Sequence, residues 1–223
     1  FRRRSEPMRS MDLLFGNSSE RRRDVCALGF EPNPRHQAGL RRLERRLRNR
    51  GHSVHIFAAA IAAGSELNIS SNAATYWVDR AAHNLNRHEV GNSLIRWAAD
   101  MHSAHTHEVP TVPFDWLVRR QLQPPRRSSF RQKTLMKMDV EGAEYTVLPP
   151  AVRSGSLCEG VDLLLLERHN RFFSSKWRGH NPAFTTDKTL PRQLDDALLA
   201  LKTRAGRGAQ GGCKTRVRTV DFP

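Results

Sequence analysis

The sequence predicts an α/β fold built on a doubly wound, mostly parallel sheet. Short apolar runs bounded by turn residues alternate with amphipathic repeats, the order expected of strand, helix, strand. The runs VCALGF and VDLLLL lack the period of two that marks strands with one wet face, so they read as strands covered on both sides. Acidic or polar residues follow directly after three of these runs, at the carboxyl ends where such sheets bind ligands.

Residues 1–24 are polar and arginine-rich and read as a disordered or truncated arm. A single domain is expected over 25–223. The run Val25 to Phe30 is its first strand, and Asn33 followed by Pro34 supplies a helix start. Leu40, Leu43 and Leu47 recur at helical spacing opposite a face of arginines, Glu44 stands four residues before Arg48, and Gly51 is the stop. A second strand opens at Ser53 and runs into the small-residue segment FAAAIAA.

The stretch 64–110 has no clean period, with only a weak strand near Thr75 to Val78 and a loop carrying His102, His105 and His107. A short helix follows from Pro113 to Leu122, and after a basic loop TLMKMDV forms a strand. The next helical segment, EGAEYTVL, is expected to end at Pro149 and Pro150. VDLLLLE is a central strand, Leu190, Leu194, Leu198 and Leu201 stripe a helix, and TRVRTVDF closes the fold as an antiparallel edge strand.

Composition narrows the function. Thirty-seven Lys and Arg against 22 Asp and Glu give a formal charge of +15, but the arginines are dispersed, which fits solvated helix faces better than a nucleic-acid groove. No apolar run reaches the roughly 20 residues of a membrane helix, so a soluble protein, cytoplasmic by default, is expected. The three cysteines form no C-x-x-C pair and read as buried or idle thiols. No metal is expected, since the His102, His105, His107 triplet has no acidic or cysteine partner nearby.

Glu31, Asp139 with Glu141, and Glu167 with His169 stand at the three strand ends and are expected to face one crevice. Carboxylates beside buried strands are costly unless they bind or cap something.

Here the chain resembles the FkbM-type methyltransferases. KMDVEGAEYTVL (Lys137 to Leu148) looks like their K-I-D-V-E-G-A-E-x-x-V-L signature, and GFEPNP (Gly29 to Pro34) is similar to A-F-E-P-N-P. FAAAIAA resembles N-A-A-V, VPTVPFDWL resembles T-L-D-D-W-L, LLLLERH resembles I-I-I-E-x-H, and HEVGNSLI is a looser match to a segment ending S-S-L. These stand in the family's order from about Val25 to His169.

The resemblance implies a Rossmann-like class I methyltransferase sheet, S-adenosylmethionine as cofactor, and a hydroxyl acceptor on a small metabolite or glycan. It implies Glu31 and Asn33 at the cofactor's ribose, and Ala59, Ala60 and Ile61 as an apolar wall for the adenine. Asp139, Glu141 and His169 are then the catalytic candidates, with Asp139 or His169 as base.

The family's D-x-G-A-N-x-G segment, whose glycines let backbone approach the cofactor closely, is absent from the chain. A clipped or aberrantly spliced first strand is the expected reason. The competing readings are a methyltransferase-like binding module without catalysis and a basic nucleic-acid binder.

Overall fold

The structure, a computed structural model, describes residues 6–16, 24–64, 73–78, 93–94, 105–122, 132–173, 189–205 and 213–220. His102, most of HEVGNSLI and the greater part of the basic loop lie outside them. The chain forms two compact units, Phe1–Ala60 and Ile61–Pro223.

In the first unit, part of the stretch read as a loose arm is a helix, α1 (Glu6–Phe15). Met11, Leu14 and Phe15 share one half-buried face at helical spacing while Leu13 is exposed. Strands β1 (Cys26–Phe30) and β2 (Ser53–Phe57) pair in parallel, from Cys26 opposite Ser53 to Phe30 opposite Phe57. The crossover between them is α2 (Gln37–Asn49).

Two details depart from expectation. Cys26, Ala27 and Leu28 are exposed, because β1 belongs to a two-stranded ribbon with a single ladder and not to a covered central strand. Asn33 does not cap α2: its Oδ1 accepts the Arg35 amide at 3.0 Å in a turn, and the helix starts only at Gln37. The stop at Gly51 holds, with φ of 84°, a left-handed conformation that glycine adopts without penalty.

The second unit contains strands β3 (Ala60–Ala62), whose first residue ends the first unit, β4 (Ala73–Val78) and β5 (His105–Pro113), in the order β3, β5, β4. The strand expected near Thr75 to Val78 is β4, antiparallel to β5. The loop expected around the histidines is instead strand, since His105 and His107 lie on β5. The alternation that identifies it begins only at Val109, where Val109 and Thr111 are buried and Glu108 and Pro110 exposed. Helix α3 (Phe114–Leu117) follows and continues as a wider turn through Leu122.

A parallel three-stranded sheet organises the rest: β6 (Leu135–Met138), β7 (Leu163–Leu166) and β8 (Arg216–Thr219), in that order. All four leucines of β7 are buried, as its unbroken apolar run predicts for the middle strand. Between β6 and β7 run α4 (Glu144–Arg153) and the short α5 (Ser156–Gly160). Helix α6 (Thr189–Ala205) precedes β8 and buries Leu194, Ala197 and Leu201.

Two further expectations are corrected. Helix α4 does not end at Pro149 and Pro150 but passes through both. A proline inside a helix costs about 3 kcal/mol; burial of Val147, Leu148, Ala151 and Val152 in the core offsets it. Strand β8 is not antiparallel: Leu163 pairs with Arg216 and Leu166 with Thr219 in parallel register. The helix in the connection returns the chain to the same end of the sheet, which makes a parallel neighbour.

Nor are all the cysteines idle thiols. Cys158 on α5 and Cys213 ahead of β8 form a disulfide across a separation of 55 residues, leaving Cys26 free and exposed. Closing a loop of that size stabilises by about 2–4 kcal/mol. Thermal unfolding with and without a thiol reductant is therefore expected to differ by roughly 4–16 °C for a chain of this size. Coincident transitions would show that the cross-link carries no weight.

No helix among the described residues is long and apolar enough to cross a membrane.

Candidate active site

The carboxyl ends of β6 and β7 bring four of the second unit's acidic residues around one histidine. Asp139 follows β6 directly, and Glu141 opens the turn into α4. That turn is tight: Glu141 has φ of 45° and Gly142 φ of 94°, both left-handed. Only the second is free of cost, so Glu141 sits in a conformation that a side chain disfavours by roughly 1–2 kcal/mol. The Ser93 hydroxyl, donating to the Glu141 carbonyl at 2.6 Å, helps to hold it.

Glu144 begins α4 and is fully buried. Its Oε2 accepts the Gly142 amide at 2.9 Å, while its Oε1 accepts the His169 amide at 2.9 Å and the His169 Nδ1 proton at 3.0 Å. A carboxylate can only accept, so Nδ1 carries hydrogen and Nε2 is the nitrogen turned toward the other acids.

Around Nε2 stand Glu141 Oε2 at 3.5 Å, Asp139 Oδ1 at 3.6 Å and Glu167 Oε1 at 3.8 Å. Lys137 binds the far side of this group, 2.9 Å from Asp139 Oδ2 and 4.0 Å from Glu167 Oε2. The histidine side chain is only 2% exposed, whereas Asp139 is 35% and Glu141 26% exposed. Asp139 and Glu141 thus form the wet rim of a site whose floor is the imidazole.

Electrostatics follow from this crowding. Burial alone would push His169 down, but hydrogen bonds and charge from Glu141 and Glu144 prevail and raise its pKa to about 10. Burial and the charge of Asp139 push Glu167 above the usual carboxylate range. The ring of Tyr145 packs edge-on against Phe173, and its hydroxyl donates to Asn170 at 2.9 Å, which ties α4 to the segment after His169.

The expected cofactor residues lie chiefly in the first unit. Glu31 stands just past β1, half-buried. Its Oε1 accepts the Asn33 amide at 2.8 Å, its Oε2 lies 3.6 Å from His36, and its backbone carbonyl accepts from Gln37 Nε2. This carboxylate is held in place yet open to solvent, and being acceptor-only it suits a pair of hydroxyls. Asn33 is buried with its Oδ1 engaged by Arg35, a turn-forming role. Ala59 and Ala60 are buried, and Ile61, the first residue of the second unit, is half-buried.

Of the residues predicted from the sequence, Asp139, Glu141, Glu167 and His169 come together. Glu144 and Lys137 escaped notice as participants, although both lie in the KMDVEGAE segment. The available signal was a second glutamate three residues after Glu141, one helical turn on, where a helix start favours an anion.

No curated protein and no solved structure matches the chain. The methyltransferase FkbM domain matches residues 14–201, reaching beyond the motif-bearing segment at both ends. A match over most of the length, with the family signature forming the turn that gathers these acids, settles its kinship: the chain belongs to the FkbM methyltransferase family.

Proposed function

We propose that the chain is an S-adenosylmethionine-dependent methyltransferase that methylates a hydroxyl oxygen of a small metabolite or glycan. The observation that carries this reading is the convergence of Asp139, Glu141 and His169 at the ends of two parallel strands, in a chain of this family.

When bound, S-adenosylmethionine supplies an electrophilic methyl carbon. The fixed, acceptor-only carboxylate of Glu31 fits the ribose hydroxyls, and Asn33 holds that carboxylate through its amide. Small Ala59 and Ala60, with Ile61, suit the flat face of an adenine. The methionine end of the cofactor finds no glycine-rich segment in the sequence.

Asp139 takes the proton of the acceptor hydroxyl, since of the two candidate bases its side chain is the partly exposed one, at 35% against 2% for His169. His169, held as a cation by Glu141 and Glu144, is a poor base at neutral pH and instead orients the carboxylates around it. Glu141 helps to position the acceptor. Much of the rate gain then comes from holding the reacting groups in line.

Titration calorimetry with S-adenosylhomocysteine tests the cofactor half. One site per chain is expected, with Glu31→Ala weakening it about 10- to 100-fold through loss of charge-assisted hydrogen bonds. Absence of binding by the chain would favour the alternative, a methyltransferase-like binding module without catalysis.

A further inference from the structure

The acids that surround His169 outnumber the cations beside them. Asp139, Glu141, Glu144 and Glu167 place four carboxylates around the imidazole, with Lys137 beside two of them. The carboxylates divide their oxygens in one pattern. Asp139 gives Oδ2 to Lys137 and turns Oδ1 toward Nε2; Glu167 points Oε2 toward Lys137 and Oε1 toward Nε2. Glu144 gives Oε1 to Nδ1, which fixes the orientation of the ring and aims Nε2 into the group. A buried carboxylate behind an imidazole is the arrangement by which proteins orient a metal-binding histidine.

The spacing fits an ion. Two donors each about 2.1 Å from a metal lie about 3.0 Å apart at a right angle and about 3.4 Å apart at the tetrahedral angle. The separations from Nε2 to Glu141 Oε2 and Asp139 Oδ1 are 3.5 and 3.6 Å, and the three ligand atoms lie within 4.8 Å of one another. Rotation of the partly exposed Asp139 and Glu141 side chains can bring their oxygens, which lie within 4.8 Å of each other, inside the roughly 4.2 Å that two donors on one ion allow.

We infer that Asp139, Glu141 and His169 form a binding site for one divalent first-row metal ion, with Mn2+ as the best-suited probe. One imidazole nitrogen with carboxylate oxygens is neither the all-oxygen set favoured by Mg2+ and Ca2+ nor the thiolate set of structural zinc. Binding of the ion displaces the proton that His169 otherwise holds on that nitrogen. Glu167, at 3.8 Å, is placed to supply a further oxygen. The site differs from the histidine triplet considered in the sequence, and it lies where no metal was expected. Any catalytic use of the ion, which would then replace the Asp139 carboxylate as the group that acidifies the acceptor hydroxyl, rests on the methyltransferase reading; binding of the ion does not.

The test is Mn2+ titration of the full chain, followed by calorimetry and by electron paramagnetic resonance, in parallel with the variants Asp139→Asn and Glu141→Gln. One ion per chain is expected. Loss of an orienting partner costs roughly 10- to 100-fold in metal affinity, so loss of a ligand is expected to cost at least about tenfold. Circular dichroism of each variant verifies that it is folded, and Mg2+ is expected to compete weakly.

No saturable Mn2+ binding by the folded chain, or an affinity in both variants equal to that of the parent chain, would overturn the site. S-adenosylhomocysteine titration without metal is read separately. Mn2+ binding without cofactor binding sinks the methyltransferase reading and leaves the metal site; the reverse sinks the metal site alone.

Discussion

Replacing Asp139 by asparagine is expected to lower methyl-transfer turnover by about 10²- to 10⁴-fold, the usual worth of a positioned acid or base. Affinity for S-adenosylhomocysteine should stay unchanged. The amide keeps the shape of the carboxylate but cannot take a proton, and it loses the charge that meets Lys137 at 2.9 Å and faces His169 at 3.6 Å. The partial exposure of Asp139 means that this substitution leaves no buried group stranded. Turnover and binding are therefore separable, and steady-state kinetics beside calorimetry reads both. Turnover close to that of the parent chain, at equal cofactor affinity, would remove Asp139 from the reaction.

Glu144→Ala is expected to act on stability. Its carboxylate is fully buried and accepts three hydrogen bonds, two from the backbone amides of Gly142 and His169 and one from the His169 ring. Removing one partner of a buried charged pair costs about 3–5 kcal/mol, because the other is left without compensation. For a chain of this size that is a fall in melting temperature of roughly 6–20 °C. Glu144→Gln keeps an acceptor oxygen and the volume, so it should recover part of the loss. A melting temperature within a degree or so of the parent for Glu144→Ala would mean that the contacts around His169 are not those described.

Much of the second unit was legible because its signals are local. The unbroken apolar run of Leu163 to Leu166 reads as a middle strand wherever it is met, and the stripe of Leu190, Leu194, Leu198 and Leu201 reads as a helix. The convergence of Asp139 and Glu141 with Glu167 and His169 was legible from the rule that parallel strands present their ends together. Other features were settled by partners far away in sequence. The direction of β8 depends on its crossover, and the disulfide joins residues 55 apart. The continuation of α4 through Pro149 and Pro150 is decided by burial against the core. Glu144 drew no notice, since the histidine that explains it lies 25 residues further on. The β5 strand was hidden because its first residues, His105 to Glu108, show no alternation of polar and apolar.

The destination of the methyl group is the most direct test of the chemistry proposed for Asp139, Glu141 and His169. Incubation of the full chain with methyl-labelled S-adenosylmethionine and a panel of hydroxyl-bearing metabolites and oligosaccharides, read by mass spectrometry after alkaline treatment, decides it. A base-stable methyl ether on an acceptor hydroxyl is the predicted product. A base-labile ester, a methyl group on nitrogen, or no transfer by a chain that binds S-adenosylhomocysteine would contradict the proposed chemistry at Asp139, Glu141 and His169.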